Sequence, residues 1–346
     1  MSSLLIPFGK IYGWIMDARN ALYDRGLFRV HDLGARTISV GNLTTGGTGK
    51  TPVVAMVAEI LAERGETVCI LTRGYGRRNA SERVLVSEGE SVLTDAETGG
   101  DEPVELARKL AGKAIVIADA DRVAAGTWAK EKFGVTAFIL DDGFQHRRVK
   151  RDLDIVCIDA SNPFGNARIL PAGILREAFE GLSRANAIVI TRSDLVDSTD
   201  FLDEGLRKRN TVAPIFKMAA TISNFTLLED FLIGKATSGD KAFQLTSTKA
   251  FVFCGLGNPD NFRKMIEKNG IVLSGFKTFG DHNRYAKADV DTIETEARSC
   301  DANSLLTTAK DAVKLTGFQF NLPVFVVEIK PKIDEIDRFE KIITFS

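Results

Sequence analysis

The sequence predicts an α/β protein: a mainly parallel sheet with helices on both faces, followed by a second, smaller C-terminal α/β domain. Three observations carry this. From Arg36 to Asp194, short β-branched runs alternate with stretches of helical periodicity. A glycine-rich loop joins the first run to the first such stretch, and a second, shorter alternation begins near Ala250. Strand–helix alternation favours parallel pairing, because each crossover needs a helix to bring the chain back to the same end of the sheet. Ligands of such sheets bind outside the carboxyl ends of the strands.

Taken in order, residues 1–36 form an N-terminal amphipathic segment. Leu4, Phe8, Ile11, Ile15 and Leu22 share one helical face, and Lys10, Asp17, Asn20 and Asp24 another; Tyr12 and Trp14 add aromatic weight. Lys10, Arg19, Arg25, Arg29 and Arg36 stand against Asp17, Asp24 and Asp32, an excess of two bases. Such a helix either lies on an anionic membrane surface or packs its stripe on the core. For the stripe alone, core packing is the simpler reading.

Residues 37–200 read as the main domain. Thr37–Val40, Thr67–Leu71, Ala114–Ala118, Thr136–Leu140, Leu153–Ile158 and Ala187–Thr191 are apolar, β-branched runs of strand length. Thr51–Arg64, Pro103–Leu110 and Asp121–Lys132 are helical; in the first, Val53, Val54, Val57, Ile60 and Leu61 make one stripe. Residues 201–249 are charged and turn-rich and read as a connecting region. Residues 250–346 read as the smaller domain. Its strands are Ala250–Cys254, Ile271–Phe276, Ser304–Thr308 and Val324–Ile329, and its helices Pro259–Lys268 and Ala288–Arg298.

Composition bounds the function. The chain has 346 residues, with 45 basic against 46 acidic side chains, so no chain-wide basic field for nucleic acid exists. No apolar run approaches the roughly 18 residues of a spanning helix, and no signal-peptide pattern is present, so the chain is expected to fold in the cytosol. Cys69, Cys157, Cys254 and Cys300 lack metal-binding spacing and read as free thiols. Histidine is scarce: His31, His146 and His282.

The strand Thr37–Val40 runs into Gly41-Asn42-Leu43-Thr44-Thr45-Gly46-Gly47-Thr48-Gly49-Lys50-Thr51, and a helix follows. Strand, glycine-rich loop and helix together present backbone N–H groups and a helix N-terminus to phosphate oxygens, the arrangement of a P-loop NTPase-like fold. Thr44 to Thr51 are the candidate nucleotide-binding residues: Thr44, Thr45, Gly46, Gly47, Thr48 and Gly49 as the cradle, Lys50 on the β/γ-phosphates and the Thr51 hydroxyl on Mg²⁺. Thr44 stands where the pattern's first glycine belongs.

Phe138-Ile139-Leu140-Asp141-Asp142-Gly143-Phe144-Gln145-His146 is an apolar strand ending in two aspartates, the form of a strand-end metal site. In Gly99-Gly100-Asp101-Glu102-Pro103, Asp101 either caps a helix starting at Pro103 or serves as a base, and Glu102 is a further metal-ligand candidate. His282, in Phe279-Gly280-Asp281-His282-Asn283-Arg284-Tyr285, is placed to orient a carboxylate base. Arg73, Arg122 and Arg176 stand in loops that follow strands, with Arg147, Arg148 and Arg168, and suit an anionic substrate. Thr191-Arg192-Ser193-Asp194 loosely matches the [NT]KxD guanine reader, with Arg where Lys belongs. On the residues alone a P-loop GTPase switch or metallochaperone-like NTPase remains the alternative to a kinase.

Together these residues resemble the lipid A 4′-kinase (tetraacyldisaccharide 4′-kinase) family. The resemblance rests on Ser39 to Pro52, Arg73-Gly74-Tyr75-Gly76-Arg77, Gly100-Asp101-Glu102-Pro103, Asp121-Arg122, Asp141 to His146, Leu170-Pro171-Ala172-Gly173 and Leu175-Arg176-Glu177. Gly255-Leu256-Gly257-Asn258-Pro259, Asp281-His282 and Lys310-Asp311-Ala312-Val313-Lys314 extend it through the chain. Asn283 and Ala178 stand where the family usually has histidine and proline; Thr44 is typical of it.

The resemblance implies a kinase. ATP and Mg²⁺ would serve to phosphorylate the 4′-hydroxyl of a tetraacylated glucosamine disaccharide 1-phosphate, in lipid A biosynthesis. It implies Asp101 as base with His282 as its partner, and Thr51, Glu102, Asp141 and Asp142 around the metal. Arg73, Tyr75, Arg122, Gln145, His146 and Arg176 would bind substrate. It further implies a peripheral enzyme at the cytosolic face of the bacterial inner membrane, and raises the membrane reading of the N-terminal helix. The expected partners are the lipid substrate and an anionic membrane surface, with no nucleic acid and no obligatory protein.

Overall fold

A computed structural model describes residues 5–75, 77–233, 249–256, 259–280, 283 and 285–345. The chain divides into two compact units, Met1–Ala219 with Ile333–Ser346, and Ala220–Lys332.

The first unit opens with α1 (Ile6–Asp24) and β1 (Arg36–Gly41), then α2 (Lys50–Glu63), β2 (Val68–Thr72) and the short β3 (Val84–Ser87). It continues through α3 (Ala96–Gly99), α4 (Asp101–Lys109), β4 (Ala114–Ala118), α5 (Arg122–Phe133), β5 (Ala137–Asp141), β6 (Leu153–Asp159), β7 (Ala187–Thr191) and α6 (Asp200–Arg207). Its last strand is the start of β8 (Ile215–Leu227), whose Ile215–Lys217 pair parallel with Ile188–Ile190. Strand order is β8-β7-β6-β1-β5-β2-β4-β3, parallel except for β3, which runs antiparallel to β4.

Alternation along these strands sends side chains to two cores. Ile38, Val40, Ile139 and Ile155 meet Val53, Val54, Val57 and Leu61 of α2 on one face. Phe138 and Leu140 meet Ala125 and Ala129 of α5 on the other. Each aliphatic side chain taken fully out of water contributes about 1.5–3 kcal/mol, so both faces are needed to hold the sheet.

The second unit contains the rest of β8, α7 (Leu228–Leu232), β9 (Lys249–Cys254), α8 (Pro259–Lys268), β10 (Val272–Thr278), α9 (Lys287–Ser299), β11 (Ser304–Thr308), α10 (Ala309–Ala312) and nearly all of β12 (Val324–Ile333). Its parallel strands run β10-β9-β11-β12 around a core of Phe251, Phe253, Ile293, Leu305 and Val326.

Three features differ from the sequence reading. The stretch read as connecting region contains α6 and the thirteen-residue β8. Ala, Thr, Ser and Asn fill the middle of β8, so it lacks the apolar run that marks a buried strand. The last helix, α11 (Ile336–Thr344), belongs to the first unit, where Phe339 and Ile343 are fully buried. And α1 exposes its apolar stripe: Phe8, Ile11, Trp14 and Ile15 are open to solvent while Gly9, Gly13 and Met16 are buried. No helix among the described residues is long and apolar enough to cross a membrane.

Candidate active site

The site follows from strand register. β1 and β5 are parallel neighbours with Val40 opposite Asp141, so the glycine-rich loop and the Asp141–Asp142 pair leave the sheet side by side. Gly41 is required at that exit: a Cβ there would lie 2.6 Å from the backbone N of Phe144. The loop is tied down on three sides. Asn42 donates to the Thr44 carbonyl at 2.8 Å and the Thr48 hydroxyl at 2.9 Å. The Thr45 amide donates to Ile174 O at 2.7 Å, and the Thr191 hydroxyl to Thr48 O at 2.7 Å. Gly49 has a left-handed φ of 70°, with Thr191 3.2 Å from where its Cβ would stand. The Thr44 and Thr48 side chains are buried bracing, whereas Gly46 and Gly47 face solvent. Lys50 and Thr51 begin α2, whose macrodipole turns its positive end to the loop.

A cleft of about 660 Å³ opens over this loop. Of the predicted residues, Thr45, Gly46, Gly47, Lys50, Arg73, Tyr75, Glu102, Asp141, Asp142, Gln145 and Arg176 line it. Asp101, Thr51, Arg122 and His146 do not line it, and His282 lies outside the described residues. Tyr12 and Met16 of α1, Thr72 and Leu170 also line it. The sequence reading missed these four as site residues; for Tyr12 the signal was an aromatic on an otherwise amphipathic helix, and for Leu170 its place in a motif already noted.

The two aspartates have opposite electrostatics. Asp142 lies between Arg176 Nη1 at 2.7 Å and Lys50 Nζ at 3.5 Å. Burial works against its ionisation, but the two cations prevail and hold it below the ordinary carboxylate range. Asp141 accepts a hydrogen bond from the Thr72 hydroxyl at 2.9 Å. Burial pushes it up to about 6, and the carboxylates of Asp142 and Glu102 add to the push. The 54° φ of Asp142 is a left-handed conformation that aspartate tolerates better than most residues.

Asp101 does not cap a helix beginning at Pro103. The helix begins at Asp101 itself, with Gly100 at φ 95° as the preceding residue and no side-chain cap. The carboxylate is exposed in the first turn, where the helix dipole favours its charge. Arg122 is 6% exposed, donates to Ala120 O at 3.3 Å, and leaves its buried Nε without a partner. Burial, then the cations Arg122, Arg148 and Arg151, hold His146 down to about 3, so this imidazole is neutral near pH 7. Arg73 stacks on Tyr75 at 5.1 Å and donates to its hydroxyl at 3.0 Å. Arg192, in the guanine-reader position, is ion-paired with Asp159.

The carboxylates and hydroxyls suit a hard divalent cation. Among the described residues no three carboxylate, histidine or cysteine side chains group closely enough to cage a metal. Mg²⁺ sites commonly use one or two carboxylates and take their remaining ligands from phosphate and water.

The family described as LpxK, tetraacyldisaccharide-1-P 4′-kinase, matches residues 1–345. The tetraacyldisaccharide 4′-kinase of Desulfotalea psychrophila is 40% identical over 321 residues, 92% of this chain and 89% of that protein. That of Geobacter metallireducens is 38% identical over 313 residues, 90% of this chain and 88% of its own. Among solved structures, LpxK from Aquifex aeolicus in complex with ATP superposes with a TM-score of 0.73 at 33% identity, covering 99% of this chain and 98% of that one.

Proposed function

The chain belongs to the tetraacyldisaccharide-1-P 4′-kinase family, and on that premise we propose a role for each group around the cleft. The enzyme transfers the γ-phosphoryl group of ATP to the 4′-hydroxyl of a tetraacylated glucosamine disaccharide 1-phosphate, a step of lipid A synthesis. The backbone amides of Thr45 to Gly49 cradle the ATP phosphates, and Lys50 moves from Asp142 onto the β/γ-oxygens when nucleotide arrives. The observation that carries this reading is the Val40–Asp141 register, which sets the phosphate loop beside the acidic pair.

Thr51, Asp141, Asp142 and Glu102 would hold Mg²⁺, which would supply positive charge to offset that of the transferring phosphates. Asp141, hard to ionise where it is buried, supports that assignment. Arg176 bridges Asp142 and the phosphate side of the cleft; Arg73, Tyr75 and Gln145, which line the cleft, meet the acceptor, and Arg122 and the neutral His146, which do not line it, support them from behind. Asp101 accepts the proton of the sugar hydroxyl during in-line transfer, and His282 supports it. The exposed Phe8, Ile11, Trp14 and Ile15 dock α1 on an anionic membrane surface, the cytosolic face of the inner membrane. Tyr12 and Met16 then border the path from lipid to cleft.

Transfer of labelled γ-phosphate from ATP to the lipid disaccharide in detergent tests the assignment. Asp101→Ala is expected to lose at least about a hundredfold in kcat, in the range of a general base, with its Tm retained. Near-wild-type turnover in that variant would remove Asp101 as the base.

A further inference from the structure

The inner face of α1 does more than cover the sheet. At 100° per residue Asn20 projects opposite to Phe8, Ile11, Trp14 and Ile15, on the side of the buried Gly9, Gly13 and Met16. Its Nδ2 donates at 2.9 Å to Oε2 of Glu177, a carboxylate only 1% exposed. The same Oε2 accepts from Arg184 at 2.8 Å, and Oε1 accepts from the Gln145 amide at 2.8 Å. The Gln145 amide also donates to the carbonyl of Asn42, where the phosphate loop begins, at 2.9 Å. Gln145 Oε1 lies 3.5 Å from Arg176 Nη1, which holds Asp142. A second strut runs from Arg19 to the Gln145 carbonyl at 2.7 Å. Arg147 clamps the helix from outside, on the Asn20 carbonyl at 2.9 Å and the Asp24 carboxylate at 2.6 Å.

A buried carboxylate that loses one of three donors must find another or stay undersolvated. Around Glu177 the movable donor is Gln145, whose amide also faces the phosphate loop. We propose that Asn20 is a positioning residue for phosphoryl transfer: through Glu177 it fixes the orientation of the Gln145 amide between the phosphate loop and the Arg176–Asp142 pair. The lipid-facing helix is thereby part of the catalytic framework. This rests on the reading of Gln145, Arg176 and Asp142 as cleft machinery.

The test compares wild type, Asn20→Ala, Gln145→Ala and the double variant, full-length, with ATP and the tetraacyl disaccharide 1-phosphate in detergent micelles. Asn20→Ala is expected to lower kcat about tenfold, with KM for the lipid and binding to anionic vesicles within about twofold. The double variant is expected to fall no further than Gln145→Ala, because both substitutions break one chain of contacts. The isosteric Asn20→Asp keeps the packing but sets a second carboxylate against Glu177, and is expected to lose at least as much kcat. Multiplying losses in the double variant, or wild-type kcat in Asn20→Asp, would overturn the role of Asn20. An unchanged kcat in Gln145→Ala would instead overturn the reading of the cleft.

Discussion

Asp141 and Asp142 are neighbours in sequence with opposite protonation preferences. Asp142 has two cations; Asp141 has one hydroxyl and two other carboxylates nearby. A carboxyl raised to about 6 favours the fold while it is protonated, and that contribution is lost as pH rises through about 6. On this group's account the nucleotide-free enzyme is expected to lose stability between about pH 4 and pH 7, and Mg²⁺ with ATP is expected to return it. Asp141→Asn should flatten that slope. Tm scans from about pH 4 to pH 8 decide the matter: parallel slopes for wild type and Asp141→Asn would remove Asp141 as the source. Both aspartates were legible in the sequence as a strand-end pair. Their division was not, because it depends on Thr72, Lys50 and Arg176, which come from three other parts of the chain.

At the scale of elements, the turn after β5 and the loop after β1 form one interlocked object. A methyl group on Gly41 would meet the backbone of Phe144, so loop and turn would have to separate. Gly41→Ala is therefore expected to cost about 1–3 kcal/mol and to lower kcat together with Tm, read by thermal unfolding and phosphoryl transfer. A Tm within a degree of wild type would mean that the contact yields freely. The strands around this object were legible because their β-branched runs are buried on both faces and leave a continuous apolar signal. The four-residue β3 and the polar-centred β8 gave no such signal. The stripe on α1 was legible as a stripe, but periodicity reports that a face is apolar, not what covers it. Gly9 and Gly13 were the missed clue: small residues there let the helix backbone approach Ile169 and Ala172.

At the scale of the molecule, both cores of the first unit depend on residues far apart in the chain. Phe339 packs edge-on against Phe216 with ring centroids 5.1 Å apart and joins the core that includes Val57 and Ile139. Phe339→Ala is expected to destabilise this unit by about 3–5 kcal/mol, and chemical unfolding followed at Trp128 in that unit provides the measurement. A loss under about 1 kcal/mol would show that α11 is dispensable to the core. Sequence alone named no helix here and placed these residues, with the rest of 250–346, in the nearer domain, because chain proximity is the default when no motif marks a return.

That return has a consequence in time. The chain leaves the first unit after Ala219 and comes back at Ile333; just inside that crossing the Lys217 amide donates to the Asp334 carboxylate at 2.6 Å. On the ribosome, α11 emerges after every other element described. The glycine-rich loop and the Asp141–Asp142 pair are made early, yet the hydrophobic core that holds Val40 and Val54 lacks Phe339 and Ile343 until α11 is made. The inserted unit, whose core is built from Leu228 to Val326, has by then been available to fold. The nascent enzyme thus passes through a stage in which the first-unit residues of its candidate site are translated while part of the core beneath them is not.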